Sequence, residues 1–348
     1  MRTRVALLCG GRSQEHSISL ISAANVLAAI DREKFEVTVI GIAKDGGWKI
    51  ISHPNFAIHD GVLPVVTDPT HNALQGPSLL DGHDVIFPLL HGAYGEDGAI
   101  QGLLESSGMR YVGSGVLASA MAMEKGAMKQ ILTSAQLATP DHVTFRLIDW
   151  ASEPREVEAE ILEHLQLPIF VKPSRAGSSQ GVTKVKSASE LGPAIELAGA
   201  HDSRIIVEQG VDAREIECAV LQDATGEILV SVPGEILVDK KFEFYDFDAK
   251  YIDGSTKLVI PADVSPELAR EMQEMAREAF IAMQCEGLAR VDFFLTPDGP
   301  MLNEINTMPG FTSGSMYPLL WAASGIDYKT LITLLIEEAL ARPLTIFR

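Results

Sequence analysis

Residues 300–316, PMLNEINTMPGFTSGSM, are the stretch on which the interpretation of the whole chain depends. The alternation in its first half predicts a β-strand. Glu304 and Asn306 share one face of that strand, because strand side chains repeat every two residues. A loop with Pro309, Gly310 and two serines follows. The stretch therefore places a carboxylate and an amide side by side at the start of a polar loop.

A second strand is predicted directly upstream, over residues 287–295, GLARVDFFL, with Arg290 and Asp292 two positions apart. When the two strands pair through the turn at 296–300, two carboxylates, an amide and a guanidinium converge. Hard oxygen ligands without histidine or cysteine suit Mg²⁺, which keeps some waters and shares substrate phosphates. The alternative is a pair of ordinary half-buried strands with polar outer faces.

The composition is that of a soluble globular protein with two or three domains, because 348 residues exceed one compact core. No apolar run reaches the length that spans a bilayer. The formal net charge of −19 disfavours nucleic acid as a partner. Three widely spaced cysteines in apolar surroundings (Cys9, Cys218, Cys285) and the absence of a signal-peptide pattern indicate a reduced, cytoplasmic protein.

The N-terminal segment predicts a βαβ unit, with strands over 3–9 and 35–42 and a helix between them. Its glycine turn, GGRSQE, lacks the third glycine of the dinucleotide fingerprint, which disfavours an NAD-dependent oxidoreductase. Glu15 lies in the first turn of the helix. Either it is a carboxylate favoured there by the helix dipole, or it meets a ligand's ammonium group at the carboxyl edge of the sheet.

A second strand-to-helix unit follows over residues 84–108, where an apolar strand leads to His91 and a loop with Glu96. His91 and Glu15 would then face the same edge of one parallel sheet. A buried structural histidine is the commoner case. The position of His91 at the carboxyl end of a strand favours a role in a site.

Beyond residue 113 the pattern predicts one long helix over 113–137, with Lys125 and Lys129 four positions apart. Residues 168–185 predict a β-hairpin, with Lys172 on its first strand. The hairpin loop holds small residues that could fold over phosphates as a flap, namely Gly177, Ser178, Ser179 and Gly181. An ordinary glycine-rich surface hairpin is the alternative.

Residues 204–221 predict two strands, with Glu208 ending the first and Glu215 beginning the second. The segment 242–258 is aromatic and charged, which indicates a mobile functional loop. It contains Lys250 and Tyr251. Ser265 and the proline after it predict the start of a helix that continues to residue 283.

Seven segments in order resemble the D-alanine–D-alanine ligases of the ATP-grasp superfamily: GGRSQEHSIS, LHGAYGEDGAIQGLLE, MEKGAMK, VKPSRAGSSQGV, FYDFDAKY, GLARVDFFL and LNEINTMPGFTSGSM. The resemblance covers nearly the whole chain. It implies an α/β fold with α+β parts: a Rossmann-like domain over 1–113, a central ATP-grasp subdomain over 114–209, and a C-terminal ATP-grasp domain over 210–348. The mobile loop would lie near 240–256.

The resemblance also implies roles for individual residues. The ligands of two Mg²⁺ ions, for which Mn²⁺ can substitute, would be Asp292, Glu304 and Asn306. The residues that hold ATP would be Lys125, Lys172, Ser179, Glu208, Val211, Glu215 and Lys250. A triad at the first D-alanine would be Glu15, Ser178 and Tyr251. The oxyanion donors would be Arg290 and the Gly310 amide. The second substrate would meet His91, Ser315 and Met316.

The implied reaction phosphorylates one D-alanine with ATP, and the amine of a second D-alanine then displaces phosphate to make the dipeptide for peptidoglycan synthesis. Tyr251 favours D-alanine over D-lactate as second substrate. A D-alanine–D-lactate or D-alanine–D-serine ligase is the alternative within the superfamily. A non-catalytic nucleotide-binding protein would be expected to lose metal ligands or Arg290, and all are present. Relatives suggest a homodimer.

Overall fold

Three β-sheets with helices packed on their faces make up the fold. The computed structural model describes residues 2–57, 62–237 and 257–343. The strands of the three sheets fall within residues 3–88, 142–209 and 214–306. Each sheet therefore corresponds to a separate stretch of the chain.

The first sheet has the strand order β3–β2–β1–β4. Its strands are β1 (Thr3–Gly10), β2 (Phe35–Ile42), β3 (Trp48–Ile50) and β4 (Val85–Pro88). Helix α1 (His16–Ala29) connects β1 to β2, and α2 (Ala99–Ser106) follows β4. Strand β1 pairs in parallel with β2 on one side and with β4 on the other. The chain therefore adds β2 and β3 on one side of β1 and then crosses to the other side for β4. Such a switch point opens a crevice at the carboxyl ends of the strands.

The second sheet is antiparallel, with the order β5–β8–β6–β7. Its strands are β5 (His142–Arg146), β6 (Ile169–Pro173), β7 (Thr183–Val185) and β8 (Arg204–Gln209). The helices between these strands are α5 (Leu147–Ser152), α6 (Pro154–His164) and α7 (Leu191–Gly199). Apolar side chains of the helices and the sheet form one core, which leaves the β6–β7 loop at the edge of the sheet.

The third sheet carries the strands singled out in the sequence, in the order β12–β11–β9–β13–β14, with β10 beside β9. Its strands are β9 (Arg214–Gln222), β10 (Ile228–Val230), β11 (Gly234–Leu237), β12 (Lys257–Val259), β13 (Leu288–Thr296) and β14 (Gly299–Asn306). One face packs on α3 (Val116–Met123), α4 (Lys125–Ser134) and α8 (Pro266–Ala282). The opposite side packs with α9 (Met316–Ala323) and α10 (Tyr328–Ala341), whose apolar residues also join the core of the first sheet. One continuous core therefore fixes the first sheet against the third.

Short 3₁₀ helices at Gly76–Leu80 and Ala188–Glu190 complete the described secondary structure. Within the described part of the chain, no single helix is both long and apolar enough to cross a membrane. Helices α9 and α10 meet that test only when taken together, and they are bent by 103°.

The predicted single helix over 113–137 is wrong, because α3 and α4 are separated at Glu124, whose backbone is extended (φ −90°, ψ 100°). The Glu124 carboxylate accepts a hydrogen bond from the Ala127 amide at 2.6 Å and so caps α4. Ser174 donates to the same carboxylate, and its carbonyl accepts from the Lys125 amide at 3.0 Å. These contacts with the central sheet end α3 where the sequence has no proline.

Several other predicted elements within the described residues are confirmed. Strand β2 has the predicted bounds, and the 287–306 segment is an antiparallel hairpin. Ser265 caps α8 by accepting a hydrogen bond from the Leu268 amide at 3.2 Å. The predicted mobile loop near 240–256, with Lys250 and Tyr251, lies outside the described residues.

Candidate active site

Arg290 and Asp292 lie on β13 directly opposite Asn306 and Glu304 on β14. The Arg290 guanidinium donates from Nε and Nη2 to the two Asp292 oxygens, each at 2.7 Å. Asn306 Nδ2 donates to Asp292 Oδ2 at 3.0 Å. The four polar side chains predicted to converge therefore do so, because the antiparallel register puts positions of equal parity on one face.

Glu217 completes this cluster from the neighbouring strand β9, where it lies opposite Asp292. Its Oε2 is 3.0 Å from Arg290 Nε, and only 4% of the residue is exposed. Burial would lower the pKa of Arg290, but Asp292 and Glu217 raise it well above its usual value. Glu217 was not among the site residues predicted from the sequence. It lies two positions after Glu215, so the period of the strand could have revealed it.

The oxygen ligands on β13 and β14 fit a hard divalent cation that keeps waters and binds phosphate, since one amide and two carboxylates share a face. Lys125 Nζ lies 3.5 Å from Glu304 Oε2. Among the described residues, no cluster of three or more histidine, cysteine, aspartate and glutamate side chains closes on one point.

Two lysines hold the carboxylate of Glu208 at the end of β8. Lys172 Nζ is 2.6 Å from Glu208 Oε2, and Lys129 Nζ is 3.3 Å from Oε1. Burial would raise the pKa of Glu208, but these lysines lower it to about 2. Burial lowers the pKa of Lys129, which is fully buried. Lys129 also donates to the Asn303 carbonyl at 3.1 Å, so it connects α4, β8 and β14.

The β6–β7 loop reaches the first sheet through Ser178. Its hydroxyl donates to Glu15 Oε1 at 2.7 Å, across 163 positions of sequence. Ser178 and Ser179 adopt left-handed backbone conformations, with φ of 51° and 56°. Successive residues with such backbones can turn their amides toward an anion. Lys125 lies beside this loop and donates to the Ala176 carbonyl at 3.0 Å.

His91 connects the first sheet to the loop that follows β14. Its Nδ1 donates to the Met308 carbonyl at 3.1 Å, and its Nε2 is 3.1 Å from Ser22 Oγ. Glu96 Oε1 lies 3.5 Å from Nδ1. Burial would lower the pKa of His91, but Glu96 raises it, and burial raises the pKa of Glu96 itself. The sequence pattern gave no signal that Ser22 and Glu96 would flank this histidine.

The loop after β14 brings Gly310, Ser315 and Met316 near this edge. Ser315 is the N-cap residue of α9, and its hydroxyl accepts from the Thr312 amide at 3.1 Å. Met316 begins the helix and is buried. The Ser313 amide and hydroxyl donate to Asn25 Oδ1 at 3.1 and 2.8 Å, which anchors the loop to α1.

Val211 and Glu215 lie where the chain passes from the second sheet to the third. Val211 is partly buried in the short segment between β8 and β9. Glu215 lies on β9 opposite Phe294. The preceding Gln209 exchanges hydrogen bonds with the backbone of Gln166, at 2.8 and 2.7 Å, so the end of β8 is held in place.

The two antiparallel sheets, with lysines and paired carboxylates between them, fit the ATP-grasp fold, which is the fold of the D-alanine ligase structures that this chain resembles. The family model described as the D-ala D-ala ligase N-terminus matches residues 4–114, and the D-ala D-ala ligase C-terminus matches residues 131–337. The chain therefore belongs to the D-alanine–D-alanine ligase family.

Individual relatives agree with this assignment. The D-alanine–D-alanine ligase of Mycolicibacterium gilvum is 47% identical over 364 residues, with 98% of each chain covered. The D-alanine–D-alanine ligase structure from Coxiella burnetii has a TM-score of 0.80 and 34% identity, covering 97% of this chain and 94% of that one. The VanG D-Ala:D-Ser ligase from Enterococcus faecalis has a TM-score of 0.81 and 33% identity, covering 97% and 100%.

Proposed function

We propose that the protein joins two molecules of D-alanine at the expense of ATP, through a D-alanyl phosphate intermediate, and releases ADP and phosphate. The observation that carries the proposal is the match to the ligase family over nearly the full chain, at 47% identity to a D-alanine–D-alanine ligase. Family membership implies ATP and a divalent metal. Two Mg²⁺ ions replaceable by Mn²⁺, a homodimer and a cytoplasmic location belong to the same proposal.

The first D-alanine would bind where Glu15 and Ser178 meet. The Glu15 carboxylate would pair with the substrate ammonium group, and the Ser178 hydroxyl, 2.7 Å from Glu15 Oε1, would orient it. Tyr251 completes the proposed triad. The substrate carboxylate would then point toward the third sheet, where it attacks the γ-phosphate of ATP.

ATP would lie between the second and third sheets. Lys125, Lys172 and Lys250 would hold its phosphates, and the Ser179 loop would cover them. Glu208 and Val211 would meet the adenine, and Glu215 the ribose. Glu208 is held by Lys129 and Lys172 in this structure, so its carboxylate would also fix the position of a phosphate-binding lysine.

Charge neutralisation contributes most to phosphoryl transfer, since the protein supplies little covalent chemistry. Asp292, Glu304 and Asn306 would hold the divalent cations, which neutralise the phosphate oxygens when bound. Asp292, whose two oxygens accept from Arg290, would share them between the guanidinium and the cation. Arg290 and the Gly310 amide would then stabilise the negative oxygen of the tetrahedral intermediate.

The amine of the second D-alanine would attack the carbonyl carbon of the acyl phosphate. A C–N bond forms and the C–O bond to phosphate breaks. The ammonium group of the second substrate loses two protons on the way to the amide, one taken up by the leaving phosphate and one released to solvent. Ser315 and the Met316 amide would bind the second carboxylate, with His91 nearby. A closed site matters here because water would hydrolyse the acyl phosphate.

The test is ATP-dependent phosphate release with D-alanine, L-alanine, D-lactate or D-serine offered, and the product identified by mass. We expect release with D-alanine and a D-alanyl-D-alanine product. The resemblance to a D-Ala:D-Ser ligase makes D-serine the necessary comparison. Preferential formation of a mixed dipeptide or of a depsipeptide would overturn the assignment of D-alanine as second substrate. Phosphate release that is the same with and without an amino acid would overturn the assignment of the ligase reaction.

A further inference from the structure

We propose that Glu217 is a positioning residue that holds Arg290 in place when a divalent cation occupies Asp292. The inference rests on the proposed function, because it concerns the cation site and the oxyanion donor of the same reaction. The sequence pattern assigns no role to Glu217, and its place on β9 brings it to the cluster from a third strand.

The geometry is that of one guanidinium between two carboxylates. Arg290 Nε lies 2.7 Å from Asp292 Oδ1 and 3.0 Å from Glu217 Oε2, whereas Nη2 donates to Asp292 Oδ2. The side chain of Arg290 is 15% exposed and that of Glu217 is 6% exposed. The hydrogen on Nε is donated to Asp292, and Glu217 Oε2 lies beside the same nitrogen without accepting that hydrogen, in a place that water reaches poorly.

A cation at Asp292 would share its oxygens and draw negative charge from them, so it would weaken the two hydrogen bonds that Asp292 accepts from Arg290. A buried guanidinium without an anion is strongly unfavourable. Glu217 Oε2 is 3.0 Å from Nε, so a rotation of the guanidinium would let Glu217 accept the hydrogen that Nε now donates to Asp292. The Nη groups then turn away from Asp292 and become available to an oxyanion, which is the task proposed for Arg290.

Two simpler roles of Glu217 would give different behaviour. In the first, Glu217 contributes nothing except negative charge near the cation. In the second, it contributes nothing except stability of the fold. A matched control for the second role is Glu235 on β11, a buried carboxylate of the same sheet that accepts from Arg214 at 2.8 and 2.7 Å. Because Glu235 pairs with Arg214 instead of Arg290, its replacement breaks a comparable ion pair away from the proposed cation ligands.

The experiment measures Mn²⁺ binding by electron paramagnetic resonance, with a non-hydrolysable ATP analogue at saturation. In Glu217→Gln, Arg290 has no second carboxylate to pair with and therefore keeps its hydrogen bonds to Asp292. Mn²⁺ must then compete with Arg290 for Asp292, so we expect Mn²⁺ to bind about tenfold more weakly. Glu235→Gln should change Mn²⁺ binding less than about twofold, since its loss acts only on stability. In an Arg290→Met background, adding Glu217→Gln should have little effect.

Equal weakening by Glu217→Gln with and without Arg290 would overturn the proposal in favour of simple charge, and no weakening at all would overturn it outright. Glu217→Asp keeps the charge but shortens the side chain, so it serves if the glutamine variant fails to fold. For it we expect kcat to fall about tenfold with KM for D-alanine little changed. Unchanged kcat would contradict the proposal. Absence of nucleotide-dependent Mn²⁺ binding by the unaltered protein would instead refute the proposed function.

Discussion

Glu208 and Lys172 form an ion pair with 2.6 Å between Oε2 and Nζ, and the fully buried Lys129 contacts the second oxygen of the same carboxylate. Removing the carboxylate leaves two lysines without it. We expect Glu208→Gln to lower the free energy of unfolding by about 3–5 kcal/mol, as for other broken buried pairs. Urea unfolding measures this. Asp149→Asn, which breaks the exposed pair with Arg146, is the control and should be close to wild type.

The same carboxylate predicts a pH dependence. Its pKa in the folded protein is lowered to about 2, against 4.5 for an ordinary glutamate, so the folded state binds the proton less well than the unfolded chain. Its contribution is complete above 4.5 and declines as the pH falls through about 2. The stability difference between wild type and Glu208→Gln should therefore shrink over this range. Unfolding midpoints at several acidic pH values test it, and a constant difference would contradict it.

Ser178 and Glu15 should act as a coupled pair. A hydrogen bond to a charged group contributes about 1.5–3 kcal/mol, so Ser178→Ala and Glu15→Gln should each reduce kcat/KM for D-alanine by at least about tenfold. The double variant should lose much less than the product of the two single effects. A full double-mutant cycle in kcat/KM measures the coupling. Additive losses would mean that the 2.7 Å contact does not serve the substrate site.

Asp292 is expected to be the ligand whose replacement weakens Mg²⁺ binding most clearly. Asp292→Asn removes a carboxylate charge and should raise the Mg²⁺ concentration for half-maximal rate by at least about tenfold. Asp298 lies exposed in the turn between β13 and β14, so Asp298→Asn removes the same charge from the same hairpin. That control should leave the Mg²⁺ dependence unchanged. A similar shift in both variants would indicate general electrostatics instead of ligation.

All three cysteines should be unreactive in the native protein. Cys9, Cys218 and Cys285 are buried and unpaired by disulfides, and burial raises the pKa of each thiol, that of Cys285 to about 12. The thiolate is the reactive form. We expect no rapid reaction with a thiol reagent before unfolding and three equivalents afterwards. Fast labelling of one thiol in the native state would show that its surroundings open locally.

The alternation and cap patterns of the sequence predicted much of the fold. Alternation over 287–306 placed Arg290, Asp292, Glu304 and Asn306 on one face, and the register of β13 and β14 bears this out. Strand alternation and helix caps depend on neighbouring residues alone, so they can be predicted without knowledge of the tertiary contacts. The break at Glu124 was not predictable in the same way, because contacts with Ser174, which directly follows β6 and is distant in sequence, impose it.

Contacts between side chains on elements that are distant in the sequence could not be predicted from sequence patterns. Glu217 reaches Arg290 only because β9 and β13 pair, and Lys129 reaches Glu208 only because α4 lies against β8. The period of β9 puts Glu217 on the same face as Glu215, but neither the pairing of β9 with β13 nor the contact of α4 with β8 can be read from a local pattern. The roles assigned to individual site residues came from resemblance, and they stay predictions until the variants above are measured.

The contact between Ser178 and Glu15 has a consequence for inheritance. A gene that recombines between codons 15 and 178 takes the carboxylate from one parent and the hydroxyl from the other. The recombinant keeps this contact only when both parents supply the matching partner at a compatible distance. During synthesis, too, the ribosome releases Glu15 long before the loop that reaches it. The two halves of this contact are therefore expected to change together among descendants, although neither is near the other in the gene.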